Sequence, residues 1–422
     1  MMDKLSRPKY DIITNNNFVF FTIIFFIIFP CIWAQENVNP NPNVETLFPL
    51  MAWDYVDDEK TLQEMKECGV NLIAFAPASL LDLAEKYNVK CILYDAGVLH
   101  AFDAPFDSEI ANTKLKELIK KHNNHPAVYG YHLKDEPGVA DFPELGKSVE
   151  LVKKLAPGKW PYISLFPNFP FGDRYNEDYL DKFVKICQPT AISYNNYIPD
   201  HNSLNGAKSL FWNNLAEVRK AALKANLPFW NIILTSPHLI YEEFIDAELR
   251  LKIFGSLAYG AKGLSFYKFI SASLPIYNAP DLGNFRMGPL DQFGERTRTF
   301  DALRNINRQI ANIGPTLLTL HSKKVYHIGD VPHGHQSVST ESFIKDIPGG
   351  GRYIVGDFIH DNGSKYVMIV NKSITNSTSC NPVFNVNTRK VQIVSPWKGT
   401  LDEYPSGFFM LAPGQGILLK IE

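Results

Sequence analysis

Cysteine is scarce in this chain, five in 422 residues, and Cys68, Cys91, Cys187 and Cys380 stand too far apart for metal-ligand spacing. They read as buried free thiols, with room for one disulfide, and no metal site is expected. No charge of one sign dominates, with 42 Lys and Arg against 44 Asp and Glu. The chain therefore has no electrostatic footprint for nucleic acid or an anionic membrane surface. No Gly-x-Gly-x-x-Gly opens a helix after the first strand, which argues against a dinucleotide fold, and no cofactor is expected. No Gly-x-Ser-x-Gly elbow offers a serine nucleophile. His333 and His335 flank one glycine without a carboxylate or cysteine cluster nearby, so they read as loop histidines.

What is present begins with an export signal. Lys4, Arg7 and Lys9 give a basic start, Phe18 to Trp33 is almost wholly apolar, and Ala34-Gln35 resembles a cleavage point. The apolar run is short of the ~20 residues that a spanning helix needs. Residues 1–34 are thus expected to be a signal peptide and 35–44, rich in Asn and Pro, a flexible leader. The expectation is an exported protein (periplasmic, cell-surface or secreted) with no membrane span after cleavage. Asn362, Asn371 and Asn376 begin Asn-x-Ser/Thr triplets, which matter in a host that glycosylates exported asparagines.

From residue 45 to 314, short apolar runs alternate with amphipathic stretches. Strands are expected at Leu47–Trp53, Asn71–Ala76, Lys90–Tyr94, Ala127–Tyr131, Pro161–Phe166, Ala191–Tyr194, Phe229–Leu234 and Gly263–Phe266. Helices are expected at Asp58–Cys68, Leu80–Tyr87, Ser108–His122, Pro143–Leu155, Glu177–Cys187, Leu204–Ala225, Glu242–Ala258 and Arg296–Ile313. Ile245, Leu249, Ile253 and Leu257 would share one face of the seventh helix. Eight strand–helix alternations in roughly 270 residues fit a (β/α)8 barrel, an α/β fold. From 315 to 422 the texture becomes all-β, with strands punctuated by Gly, Asn and Pro. This predicts a small C-terminal sandwich packed on the barrel.

The chemistry concentrates at strand tips. The run from Ala127 to Gly138 is a strand that stops at Asp135-Glu136-Pro137. Pro137 cannot donate to a ladder and ends the strand. In alternating barrels the strand C-termini are where reacting side chains stand. Other polar tips are Trp53-Asp54, Asp95, His132, Asn168, Asn195-Asn196 and Tyr267-Lys268. An enclosed strand and the flanking Asp135 would raise the Glu136 pKa, making it the candidate acid for a glycosidic leaving oxygen. Asp54 and Asp95 are candidate partner carboxylates. Trp53, Tyr131, His132, Tyr194, Asn195, Asn196, Tyr267 and Lys268 are candidate sugar contacts, with the aromatics divided between stacking and core.

The Tyr-Gly-Tyr-x-x-x-Asp-Glu-Pro strand is similar to the Asn-Glu-Pro signature of clan A glycoside hydrolases. Ala247 to Phe266 resembles the seventh helix and eighth strand of family 42 β-galactosidase-type barrels, and Gly288 to Thr297 with Leu303 to Ile310 fits the closing helix. The resemblance implies a glycoside hydrolase acting on a carbohydrate, with Glu136 as acid/base. Two departures stand out: Asp135 replaces the clan's Asn, and Phe229 to His238 carries no Glu where the clan's nucleophile belongs. Glu242 and Glu243 come later, inside the expected helix Glu242–Ala258. Three routes follow from the departures. Asp54 or Asp95 activates water in an inverting reaction, or Asp135 orients the 2-acetamido group of a substrate that supplies its own nucleophile. In the third, the barrel binds glycans without turnover.

Overall fold

The computed structural model describes residues 47–99, 105–197, 210–271, 284–405 and 409–422. The expected signal peptide and leader lie outside them. Eight parallel strands close into one barrel in sequential order: β1 Leu50–Tyr55, β2 Leu72–Ala76, β3 Lys90–Leu93, β4 Val128–Asp135, β5 Trp160–Leu165, β6 Ile192–Asn195, β7 Phe229–Leu234 and β8 Gly263–Tyr267. β8 pairs back onto β1, with Leu50 opposite Leu264, so no sheet edge is left open. The fold is the (β/α)8 barrel that the alternation predicts.

Helices lie between the strands: α1 Glu59–Glu67, α2 Leu81–Lys86, α3 Ala96–Leu99, α4 Ser108–His122, α5 Phe142–Leu155, α6 Asp181–Cys187, α7 Leu210–Ala225, α8 Asp246–Ala258 and α9 Arg298–Leu318. Asp58 caps α1 by accepting from Thr61, and Asp107 caps α4 by accepting from Glu109 and Ile110. Two layers of core result. Met51, Trp53, Ala74, Ile92, Tyr162 and Trp230 fill the barrel interior, while a larger cluster seals the strands against the helices. Space for Trp230 exists because position 263 is glycine; a Cβ there would meet the indole at 2.6 Å.

Several helix boundaries differ from expectation, among them the start of α6 at Asp181 rather than Glu177, after a π turn, the start of α8 and the end of α9. α8 starts at Asp246, so Glu242 and Glu243 lie in the loop after β7. The Glu248 side chain accepts the Ile245 N–H at 2.9 Å and fixes that start. α9 continues past Ile313 and through Pro315 to Leu318, because its buried stripe of Ile306, Ile310, Ile313 and Leu317 outweighs the donor that proline removes. The expected single apolar face of α8 is also replaced: its residues are buried all round, apart from its polar start and the half-buried Arg250. Its outer side is covered by a six-stranded antiparallel sheet, ordered β16-β15-β18-β12-β11-β9.

That sheet belongs to the C-terminal sandwich-like region, whose strands are β9 Leu320–Ile328, β10 Ile344–Asp346, β11 Tyr353–His360, β12 Lys365–Asn371, β13 Thr378–Ser379, β14 Val383–Phe384, β15 Val391–Val394, β16 Leu401–Glu403, β17 Met410–Leu411 and β18 Gly416–Ile421. Two-stranded ribbons, β10-β14 and β13-β17, complete it. Gly356 of β11 lets the sheet touch α8, since a Cβ there would sit on the Ala258 carbonyl oxygen. Asn371 is no acceptor for a glycan. Its amide is buried and donates to the Asn376, Leu411 and Ala412 carbonyls, whereas Asn362 and Asn376 are exposed. Cys68, Cys91, Cys187 and Cys380 are free and buried.

Candidate active site

β4 runs four residues beyond its expected end at Tyr131 and delivers Asp135 and Glu136 to the C-terminal mouth of the barrel. Glu136 adopts a left-handed conformation with φ of 45°, unusual for a residue with a Cβ, while its N–H still donates to the Ser164 carbonyl at 2.9 Å. Pro137 then turns the chain away, its carbonyl accepting from the Tyr179 hydroxyl at 2.8 Å. The kink swings the Glu136 side chain toward β6, where the Asn195 amide donates to its Oε1 at 2.5 Å. Asp135 accepts from the Ser164 hydroxyl on β5.

Both carboxyls are held above their ordinary range. Burial pushes Asp135 up to about 7, with the Ser164 hydrogen bond opposing and the Glu136 charge adding. Burial also raises Glu136, with the Asn195 amide opposing. Two adjacent, desolvated carboxyls retain protons well into the range where exposed carboxyls are ionised.

An aromatic wall faces the pair. Tyr197 stacks on Tyr267 with centroids 5.2 Å apart, and His238 stacks on Phe285 at 4.5 Å. Tyr241 closes against both Tyr197 and His238. The Tyr267 phenol feels the negative charge of Asp135, Asp54 and Glu136 together, which places all three carboxylates around it. Burial raises the Asp54 pKa despite the Lys268 cation 3.6 Å away. Its oxygens are occupied: Oδ2 accepts from Ile270 N and Oδ1 from Tyr55 N. Lys268 also lies over the Phe285 ring at 5.4 Å.

The predicted residues divide. Glu136, Asp135, Asn195, Tyr267, Lys268 and Asp54 gather at this mouth. Asp95 takes the Gly97 N–H at 2.8 Å in the first turn of α3, and no hydrogen bond among the described residues joins it to Glu136. Tyr131 and Tyr194 are wholly buried in the layer between strands and helices, not in the mouth. Tyr131 points that way because irregular pairing of β3 with β4 shifts the register beyond Cys91–Val128. Asn196 faces α7, donating to Asn214 at 2.9 Å. Trp53 and His132 pack beneath the mouth with Phe75 and Tyr162, and burial takes His132 down to about 4, so it is neutral. Asn168 bonds Glu217 of α7 at 2.7 Å.

Ser164, His238, Tyr241 and Phe285 join the mouth without a strong sequence signal. Ser164 lies on β5, where inward alternation from Tyr162 would have pointed to it. The other three are on loops, beyond the reach of any periodicity. The end of β7, Thr235 to His238, carries no carboxylate, and the exposed Glu243 is paired with Arg286 at 3.0 Å. Among the described residues no cluster of three or more His, Cys, Asp or Glu is arranged to hold a metal, and no helix is long and apolar enough to cross a membrane.

No protein-family model and no curated protein sequence matches the chain. Solved structures do. A family 5 glycoside hydrolase from Bacteroides vulgatus aligns over 89% of this chain and 88% of its own, at 13% identity and a TM-score of 0.54. Another glycoside hydrolase aligns over 89% and 92%, at 11% identity and 0.54. A β-galactosidase from a psychrophilic Marinomonas aligns over 65% of this chain at 10% identity and 0.52, and the chain spans 62% of that enzyme's length. At such identities the likeness is one of fold, and the fold shared with these enzymes is the (β/α)8 barrel.

Proposed function

We propose that this protein is an exported glycoside hydrolase whose general acid is Glu136. The observation that carries the reading is the half-buried Asp135-Glu136 pair at the tip of β4, with Glu136 turned into the mouth and its pKa raised. Raising the pKa extends to higher pH the range over which Glu136 keeps its proton, as an acid that must protonate a leaving oxygen requires. The facing tyrosines offer apolar ring faces and hydroxyls suited to a sugar.

For the second group we favour Asp135 acting on a 2-acetamido sugar. Glu136 gives its proton to the glycosidic oxygen as the C1–O bond breaks, and the acetamido oxygen bonds to C1. Asp135 holds the acetamido N–H. Water then opens the cyclised intermediate, returning its proton to Glu136. Support comes from the carboxylate-free end of β7 and from the occupied oxygens of Asp54, which suit it to hold Lys268 in place rather than to activate water. The second reading, an inverting reaction with Asp54 as base, is favoured by one observation: Asp54 and the β4 pair flank the same Tyr267.

A panel of nitrophenyl glycosides with and without the N-acetyl group tests this, using wild type, Asp135→Asn and Asp54→Asn. Substrate assistance predicts turnover of N-acetylated sugars only and severe loss in Asp135→Asn. Turnover of plain galactosides with loss chiefly in Asp54→Asn would transfer the assignment to the inverting route. No turnover of any substrate by wild type, with sugar binding retained, would leave a glycan-binding barrel.

A further inference from the structure

Trp397 is 76% exposed, the most exposed large apolar side chain among the described residues of the C-terminal region. It sits in the turn between β15 and β16, and that turn is pinned. The Asn312 amide of α9 donates to the Pro396 carbonyl at 2.8 Å. Ser395 N bonds the Thr400 carbonyl and Gly399 N the Ser395 carbonyl, both at 2.8 Å. Gly399 has a φ of 74°, and a Cβ there would meet the Asn312 carbonyl oxygen at 2.7 Å, so glycine is what lets the turn lie flat on the helix. An indole carried out into water by such a turn forgoes the gain of burial, which is the usual fate of tryptophan.

The indole borders a cleft of about 280 Å³ on the seam between α8, α9 and the six-stranded sheet, outside the barrel and away from the strand tips. The floor is apolar, formed by Phe254, Ile313 and Leu418. The rim is polar: the Asp402 carboxylate, steadied by the Thr400 hydroxyl at 3.0 Å, and the side-chain amides of Gln309 and Gln415, bonded to each other at 2.9 Å. Among the described residues that line the cleft Asp402 alone is charged, so nothing there selects an anion.

We infer that this cleft is a second carbohydrate-binding site, taking a neutral pyranose residue of a glycan against Trp397 with its hydroxyls on Asp402 and the glutamine amides. A pyranose presents a C–H face to an aromatic plane and hydroxyl pairs at its edge. A flat apolar platform with a carboxylate and amides at its rim complements both. A protein partner would instead be met by a broader apolar patch with charged surroundings. The site needs no turnover at Glu136 and stands or falls separately from it.

The full chain is run through native gels containing galactomannan, xyloglucan, mixed-linkage β-glucan or amylopectin. Wild type and Glu136→Gln are expected to be retarded alike in at least one gel. Trp397→Ala and Asp402→Ala should need about tenfold or more polymer for the same retardation. Trp397→Phe, which keeps a ring, should fall between. Circular dichroism confirms that each variant is folded. Four results overturn the proposal: no retardation of wild type in any gel, equal retardation of Trp397→Ala, retardation abolished by Glu136→Gln, or a wild-type dimer that Trp397→Ala converts to monomer in sedimentation. The third would place binding at the barrel mouth, and the fourth would make the cleft a contact between copies of the chain.

Discussion

At the scale of residues, the account turns on how burial and neighbouring hydrogen bonds set the protonation of Glu136 and Asp135. The Asn195 amide favours ionised Glu136, because a donor to a carboxylate stabilises its charge. Asn195→Ala removes that donor and raises the pKa further. The protonated form is the competent acid, so the alkaline limb of kcat/KM should move to higher pH; a limb that moves down or stays fixed would detach Asn195 from the acid. Asp135 makes a stability prediction. Its folded pKa of about 7 exceeds the ordinary 3.8, so its contribution is present below pH 3.8 and is lost as pH rises through 7, when a charge must be buried. Asp135→Asn carries no such charge. Its urea midpoint should gain on that of wild type between pH 4 and pH 8, and a difference independent of pH would refute the raised carboxyl.

At the scale of elements, the strand tips follow from short-range chemistry, and the departures follow from tertiary packing. Pro137 fixes where β4 ends, and that is legible from the residue alone. The facing of Tyr131 is not, because the register shift between β3 and β4 decides which side of the sheet it takes, whereas Tyr194 lies on a regular ladder and faces opposite to its neighbour Asn195. Nor did a helical repeat reveal that α8 is buried on nearly all sides, since its cover arrives from strands over a hundred residues later. The seam between α8 and β11 depends on backbone touching backbone at Gly356. Gly356→Ala should therefore cost about 1–3 kcal/mol in urea unfolding, as overpacking does. A variant as stable as wild type would show that the sheet can lift from the helix freely.

At the scale of the whole molecule, the alternating pattern and the change of texture near Pro315 made the barrel and the sandwich-like region readable in the sequence. The mouth was half readable. Residues at or just past a strand end, such as Glu136, Asn195 and Lys268, could be found from their place at a tip, whereas His238, Tyr241 and Phe285 stand on loops whose paths depend on the finished fold. The central claim, that Glu136 donates the proton to the departing oxygen, is tested most directly by leaving-group dependence. Rates of wild type and Glu136→Gln are compared on one sugar carrying either a dinitrophenyl group, which departs without a proton, or an alkyl group, which needs one. The account predicts a loss of about 10²–10⁴-fold on the alkyl glycoside and a far smaller loss on the dinitrophenyl one. Equal losses on both, or none on either, would contradict it.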